Sequence, residues 1–251
     1  MATGGNARKF YDEYHRKSHR EGDEVVTTRE SLAFGRQALG LLEPREGDRF
    51  LDLSCGQGLY LKLFHHLRPG LQYHGLDLSR VAVDAARRRV PQARLRVGDA
   101  MATGYPSRHF DRITCLGSLE HYPDPARGLK EIHRLLKDGG RALVYVPNLF
   151  FLGYMYLVLR TGETPHEAEQ NQYERLETRQ GWEDLIHGAG FRVLAVRKHN
   201  DMTYTRRIPD WTKPLYRLLV QPFIPLNWSY CFSFLLEKET GSRARSGGGR
   251  P

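Results

Sequence analysis

The residues best suited to chemistry are three acids at the ends of short strand-like runs, Asp52, Asp77 and Asp99, the first of them followed four and six residues on by Gly56 and Gly58. The run Arg49-Phe-Leu-Asp-Leu-Ser-Cys-Gly-Gln-Gly58 reads as a strand entering a tight glycine turn. The third glycine of a phosphate-cradling Gly-x-Gly-x-x-Gly is replaced by Leu61, which argues against a dinucleotide pyrophosphate seated on a helix N-terminus. A carboxylate at the strand end suits instead a ligand that carries positive charge and approaches the backbone closely where Cβ atoms are missing. Asp77 lies about 20 residues beyond the glycines, the spacing at which a carboxylate takes both hydroxyls of a ribose. Asp99 with Ala100 offers a side-chain acceptor and a backbone N–H to the edge of an adenine.

These groups meet only if the strands carrying them lie side by side in a parallel sheet, whose carboxyl edge is where open α/β folds bind ligands. Apolar periodicity predicts strands near 49–54, 72–78, 93–97, 110–116 and 140–147, alternating with helices. Phe191–Lys198 and Tyr230–Lys238 add a sixth and a seventh. The expected fold is therefore α/β, a Rossmann-like doubly wound sheet of seven strands. Ahead of it, Phe10, Tyr11 and Tyr14 are spaced as one face of a short helix, and residues 31–42 read as a second helix stopped by Pro44. A helix near residues 179–189 exits at Gly188 and Gly190.

The ordered set of four motifs resembles the class I S-adenosylmethionine-dependent methyltransferases, in particular the bacterial type-11-like small-molecule enzymes carrying Leu-Asp-x-x-Cys-Gly-x-Gly, over residues 48 to 148. The resemblance implies a last strand running antiparallel between its neighbours, and S-adenosyl-L-methionine as cofactor. It implies that Asp52, Ser54, Cys55, Gly56 and Gly58 lie under the methionine part, Asp77 and Leu78 at the ribose, and Asp99 and Ala100 at the adenine. Leu116, Gly117 and His121 then line the methionine end. Ser54 stands where glycine is commoner. Some quinone O-methyltransferases of the superfamily hold a divalent metal with Glu-x-x-Glu-His at this point; here Gly117 replaces the first Glu, and no metal is expected.

The chain reads as one methyltransferase domain over 1–240, with a helical cap over 1–45, a lid insertion over 149–177, a C-terminal insertion over 199–229 and a disordered basic tail over 241–251. With 251 residues, 40% of them hydrophobic and 27% charged, it can bury a full core. Three cysteines, Cys55, Cys115 and Cys231, form no Cys-x-x-Cys pair, so neither a disulfide framework nor a zinc site is indicated, and a cytoplasmic setting fits. Cys55 and Cys115 read as packing groups without a paired histidine motif. The surplus of 38 Lys and Arg over 29 Asp and Glu could steer an anionic partner. Part of it sits in the tail, however, and Arg87–Arg89 reads as a solvated last helical turn. No interleaving of aromatic and basic residues suggests nucleic acid.

The expected function is methyl transfer to a small-molecule acceptor, a metabolite, sugar or lipid-like compound. The alternatives are an RNA methyltransferase and a non-catalytic scaffold or regulatory subunit; a scaffold has no need of Asp52, Gly56, Gly58, Asp77 and Asp99 together. In-line transfer depends chiefly on alignment, with a base required where the acceptor loses a proton. His121 is the first candidate base, and His166, in a polar cluster with Glu167, Glu169 and Glu174, the second. Tyr11 or Tyr14 is expected to close over the cofactor. The segment Trp211–Trp228 mixes aromatics with Lys213 and Arg217, a composition suited to a lipid-like acceptor or to peripheral membrane contact, and is too interrupted to span a bilayer.

Overall fold

The computed structural model describes residues 4–18, 28–162, 175–199, 215 and 218–239. Two helices, α1 (Gly4–Ser18) and α2 (Arg29–Leu42), precede the sheet. Thr28 caps α2 by accepting from Ser31 N, and the helix ends where Glu43 turns left-handed (φ 47°) before Pro44. Then follow β1 (Arg49–Leu53), α3 (Leu59–Leu67), β2 (Gln72–Asp77), α4 (Arg80–Arg89), β3 (Arg94–Val97), β4 (Phe110–Leu116) and a short 3₁₀ turn (Leu119–His121). The second half comprises α5 (Pro125–Leu135), β5 (Leu136–Pro147), α6 (Leu152–Thr161), α7 (Arg179–Gly188), β6 (Phe191–His199) and β7 (Cys231–Lys238).

The seven strands run in the order β3-β2-β1-β4-β5-β7-β6. β1 to β5 pair in parallel, as the strand spacing leads one to expect, while β7 is antiparallel to both β5 and β6, as the family resemblance implies. β1 lies between β2 and β4, so the strand order reverses there and opens a crevice at their carboxyl ends. β5 begins four residues before its apolar run. Leu136 pairs with Phe110 directly at the end of α5, the register shifts, and Gly139 takes φ 73° within the irregularity.

Each face of the sheet buries its own core. Leu51, Leu53, Ile113 and Val144 pack with Leu129, Ile132 and the fully buried Trp182, whose indole N–H donates to Pro147 O at 2.9 Å. Phe50, Tyr73 and Leu143 pack on the opposite side with Leu61, Phe64 and Val83. The alternation of strand side chains separates the two sets, and the helices on either face keep both dry.

Among the buried polar groups without a hydrogen-bond partner in the described residues, an imidazole on β2 carries the clearest consequence for stability. His74, on β2, is 4% exposed, and neither ring nitrogen has a hydrogen-bond partner among the described residues. Burial, reinforced by Arg94, His109 and Arg49, pushes its pKa down to about 4. The unfolded chain binds this proton near pH 6.5 and the folded one only near 4. This contribution to stability is therefore complete above about 6.5 and is lost as the pH falls through that window. His74→Phe is expected to remove this slope and to raise stability at pH 5 by on the order of 1–2 kcal/mol. Urea unfolding at pH 5 and pH 8 checks it; an unchanged pH dependence would assign the slope elsewhere.

Candidate active site

The glycine turn after β1 is built from strained backbone. Ser54, Gly56 and Gly58 all take positive φ (59°, 51° and 78°). For Ser54 this conformation is costly, and its hydroxyl is held by the Tyr122 hydroxyl at 2.7 Å. The two glycines differ in what they spare. A Cβ on Gly56 would meet only His15 Cε1, at 3.6 Å, whereas one on Gly58 would press into Ala86 of α4, at 3.0 Å from its Cβ. The missing Cβ of Gly58 thus also serves the packing of turn against helix, so a valine there would report on folding as well as on ligand approach.

Asp77 at the end of β2 fastens this turn. One carboxylate oxygen accepts Gly56 N and the other accepts Ser79 N, both at 2.8 Å. Ser79, rather than Asp77, caps α4, its hydroxyl accepting Ala82 N. Asp52 is 2% exposed and accepts the Thr114 hydroxyl at 2.8 Å. Burial, opposed by that bond and aided by the neighbouring Asp77, drives its pKa up to about 7. Burial also raises Asp77 against the pull of its two amide bonds. Among the described residues no Lys or Arg forms an ion pair with either acid.

Helix α1 lies against this edge, docked by a polar face. Arg8 Nε donates to Leu78 O, Asp12 accepts the Ser79 hydroxyl and Val81 N, and Gln57 donates to His15 O. Tyr11 turns inward: burial first, then Asp77 and Glu120, push its phenol up to about 12. Tyr14, the alternative read from the sequence, is 57% exposed, as is Phe10 at 52%. The docking face is therefore Arg8, Tyr11, Asp12 and His15, at i, i+3, i+4 and i+7, and not the aromatic face suggested by the sequence.

The turn after β4 supplies the opposite wall. Leu116 is buried, and Gly117 takes φ 63°. A Cβ on Gly117 would lie 3.8 Å from Glu120 Oε1 and 3.9 Å from Tyr145 Cδ1. Glu120 is 6% exposed, while its neighbour His121, at the end of the short 3₁₀ turn, is half-buried. Tyr145 belongs to an aromatic group with Phe34 of α2 (centroids 6.1 Å apart) and His199 of β6 (5.3 Å), and Phe34 also meets Tyr60 of α3 (5.2 Å). Sequence reasoning met Glu120 only as the second Glu of the Glu-x-x-Glu-His comparison, and missed His15, Phe34, Tyr60, Tyr145 and His199, which come from separate elements. The position of Tyr145 at the carboxyl end of an apolar strand was the only local signal for any of them.

Asp99 is exposed and accepts Met101 N at 2.8 Å, with Ala100 buried behind it. Cys55 is buried, its thiol pushed well up by burial and by Asp52 and Asp77. Burial likewise drives Cys115 up to about 12. Both thiols stay protonated and pack, in agreement with the sequence reading. Arg89 is less solvated than expected, since its Nη1 donates to Gln57 O behind the glycine turn. His166, Glu167, Glu169 and Glu174 lie outside the described residues.

The sheet and the acid-edged crevice define a class I methyltransferase fold, and the comparisons agree. Residues 27–196 match the family model described as "Methyltransferase domain". The ubiquinone biosynthesis O-methyltransferase of Alkalilimnicola ehrlichii is 33% identical over 133 residues, covering 51% of this chain and 52% of that protein. The chain thus spans about half the length of the curated relatives it matches. Among solved structures, an S-adenosylmethionine-dependent methyltransferase of Mesorhizobium loti superposes with a TM-score of 0.60 at 19% identity, over 84% of this chain and 99% of that one. The [4+2]-cyclase SpnF superposes with 0.66 at 18%, over 96% and 98%. At such identities these two establish the fold alone. The chain belongs to the class I S-adenosylmethionine-dependent methyltransferase family.

The donor set fits that family's cofactor. S-adenosylmethionine carries a sulfonium, an ammonium and two ribose hydroxyls. The crevice presents Asp52 and Asp77, both raised in pKa, with no Lys or Arg to neutralise them among the described residues. A cationic ligand with hydroxyl donors relieves that arrangement, whereas a pyrophosphate would worsen it.

Proposed function

We propose that the chain transfers the methyl group of S-adenosylmethionine to a small-molecule acceptor with an apolar or aromatic body. The observation that carries this reading is the convergence of buried Asp52, Asp77 and Glu120 around the glycine turn, beneath Tyr11 of α1. The cofactor supplies an electrophilic methyl group on a cationic sulphur; the chain's own residues bind, orient and exclude water. In this reading Asp77, with Leu78 beside it, takes the ribose through the lone pairs left by Gly56 N and Ser79 N. Asp99 and Ala100 take the adenine edge. Ser54, Cys55, Gly56 and Gly58 form the floor under the methionine part, Asp52 offsets its charge from below, and Leu116 and Gly117 border the methyl end. Tyr11 closes the crevice and keeps it dry, which strengthens each of these interactions. His121 is the proposed base for an acceptor that must lose a proton.

The aromatic wall of Phe34, Tyr60, Tyr145 and His199 beside Gly117 supports an acceptor with a flat or apolar body. The A. ehrlichii relative, named for an O-methylation in ubiquinone biosynthesis, points the same way. The test uses S-adenosylmethionine with a deuterated methyl group and an extract divided into RNA, water-soluble and chloroform-soluble fractions. Label is expected in a small molecule, with equimolar S-adenosylhomocysteine. Label in the RNA fraction alone would favour the nucleic-acid alternative, and absence of transfer despite cofactor binding would favour the non-catalytic one.

A further inference from the structure

Apart from Phe10 and Tyr14 on α1 and Leu194 on β6, the large apolar groups exposed among the described residues are gathered in two segments at one edge of the sheet. On and before α6, Leu149, Phe150, Tyr156, Val158 and Leu159 are exposed, Leu159 by 86%. Ahead of β7, Leu215, Leu218, Leu219, Val220, Phe223 and Trp228 are exposed, Leu218 by 70% and Phe223 by 80%. α6 leaves the carboxyl end of β5, and β7 starts beside it with Cys231 paired to Pro147. Both segments therefore stand on the same edge as Asp52 and Asp77.

The exposure is built rather than incidental. Lys198 Nζ donates to two backbone carbonyls, Pro222 O at 2.8 Å and Ile224 O at 2.6 Å, and lies 3.5 Å from a third, Gln221 O. This buckles the second segment so that Phe223 points outward while Ile224 is buried. Asn148 Nδ2 donates to Asn227 O and Ser229 O, tying the same segment to the end of β5. Phe151 and Tyr154 then pack on Tyr230, with centroids 5.0 and 6.0 Å away, which joins the two apolar segments. Two polar anchors thus hold outward a surface that burial alone would fold inward.

Charge indicates what covers it. In the sequence between Arg197 and Trp228 six basic residues, Arg197, Lys198, Arg206, Arg207, Lys213 and Arg217, stand against two acids, Asp201 and Asp210, with no acid between Trp211 and Trp228. Of these, Arg206, Arg207, Lys213, Arg217 and both acids lie outside the described residues, and Lys198 is engaged by the carbonyls named above. Exposed aliphatic and aromatic groups in a segment whose sequence carries a cationic surplus match a bilayer interface with anionic headgroups, where apolar insertion and electrostatic attraction add. No helix among the described residues is long and apolar enough to cross a membrane, so the contact would be peripheral. We infer that this edge docks on an anionic lipid surface, turning the mouth of the crevice toward the bilayer. The inference goes beyond the proposed methyl transfer and is read without any activity.

The full chain is sedimented with vesicles of phosphatidylcholine alone and with vesicles containing one third phosphatidylglycerol, at low and high salt. Leu159→Glu/Phe223→Glu changes two exposed positions; circular dichroism and thermal melting verify its folding, and Leu218→Ser serves as a milder second variant. The wild type is expected to partition at least about tenfold more strongly to the anionic vesicles, with the advantage lost at high salt and in the double variant. Failure to bind anionic vesicles, or equal binding by the folded double variant, would overturn the inference. So would a concentration-dependent dimer that the same substitutions dissolve, since that would assign the surface to a second copy of the chain.

Discussion

Asp77→Asn is expected to weaken S-adenosylmethionine binding by about a hundredfold. Charge-assisted hydrogen bonds to a carboxylate contribute about 1.5–3 kcal/mol each, and a hundredfold loss corresponds to about 2.7 kcal/mol. The amide keeps the size of the side chain but replaces one acceptor oxygen with a donor. Whichever way it is turned, that donor faces Gly56 N or Ser79 N, each of which now donates to a carboxylate oxygen at 2.8 Å. The substitution therefore removes the charge that would meet the ribose and also loosens the glycine turn that shapes the crevice. Calorimetric titration of the folded variant reads the affinity, and melting reads the turn. A variant that melts lower yet binds as tightly as the wild type would show that Asp77 holds the turn without touching the ligand.

The second large effect concerns the reacting end. If His121 removes the acceptor proton, His121→Ala should lower turnover by roughly 10²–10⁴ while leaving cofactor affinity nearly constant. Glu120→Gln should behave in the opposite manner. Glu120 is buried between Gly117 and Tyr11, so its charge bears on the cofactor, and its loss should appear in binding before turnover. A catechol bearing a short prenyl tail serves as the probe acceptor, and single-turnover kinetics separate binding from transfer. A loss of only a few-fold in His121→Ala would mean that alignment alone carries the reaction.

The parts of this architecture visible in the sequence are those fixed by local period and punctuation. β1, β2 and β4 are short apolar runs ending in an acid or a glycine, and their order alone defines a parallel sheet with Asp52, Asp77 and Gly117 on one edge. The antiparallel β7 was recoverable through family resemblance, not from its residues. What the sequence concealed depends on contacts between distant elements. α1 docks through Arg8, Tyr11, Asp12 and His15, a polar stripe that hydrophobic periodicity overlooks in favour of Phe10 and Tyr14. That a side chain on Gly58 would also press into Ala86 of α4 is visible only in the fold. Glu120 precedes the more conspicuous His121, and only the fold shows that it is the buried neighbour of Gly117.

The central claim, that a cationic methyl donor binds over these buried acids, is tested most directly by counting protons on binding. With its pKa raised to about 7, Asp52 is partly protonated near neutral pH. A nearby cation favours its ionised form, so binding should expel the proton and grow tighter as the pH rises through that value. Titration with S-adenosylmethionine at about pH 7, in buffers of different ionisation enthalpy, should show one site and the release of roughly half a proton. S-adenosylhomocysteine, which lacks the sulfonium charge, should release less, and Asp52→Asn should release none. No saturable binding, or proton release that is the same for both ligands and survives Asp52→Asn, would contradict the account.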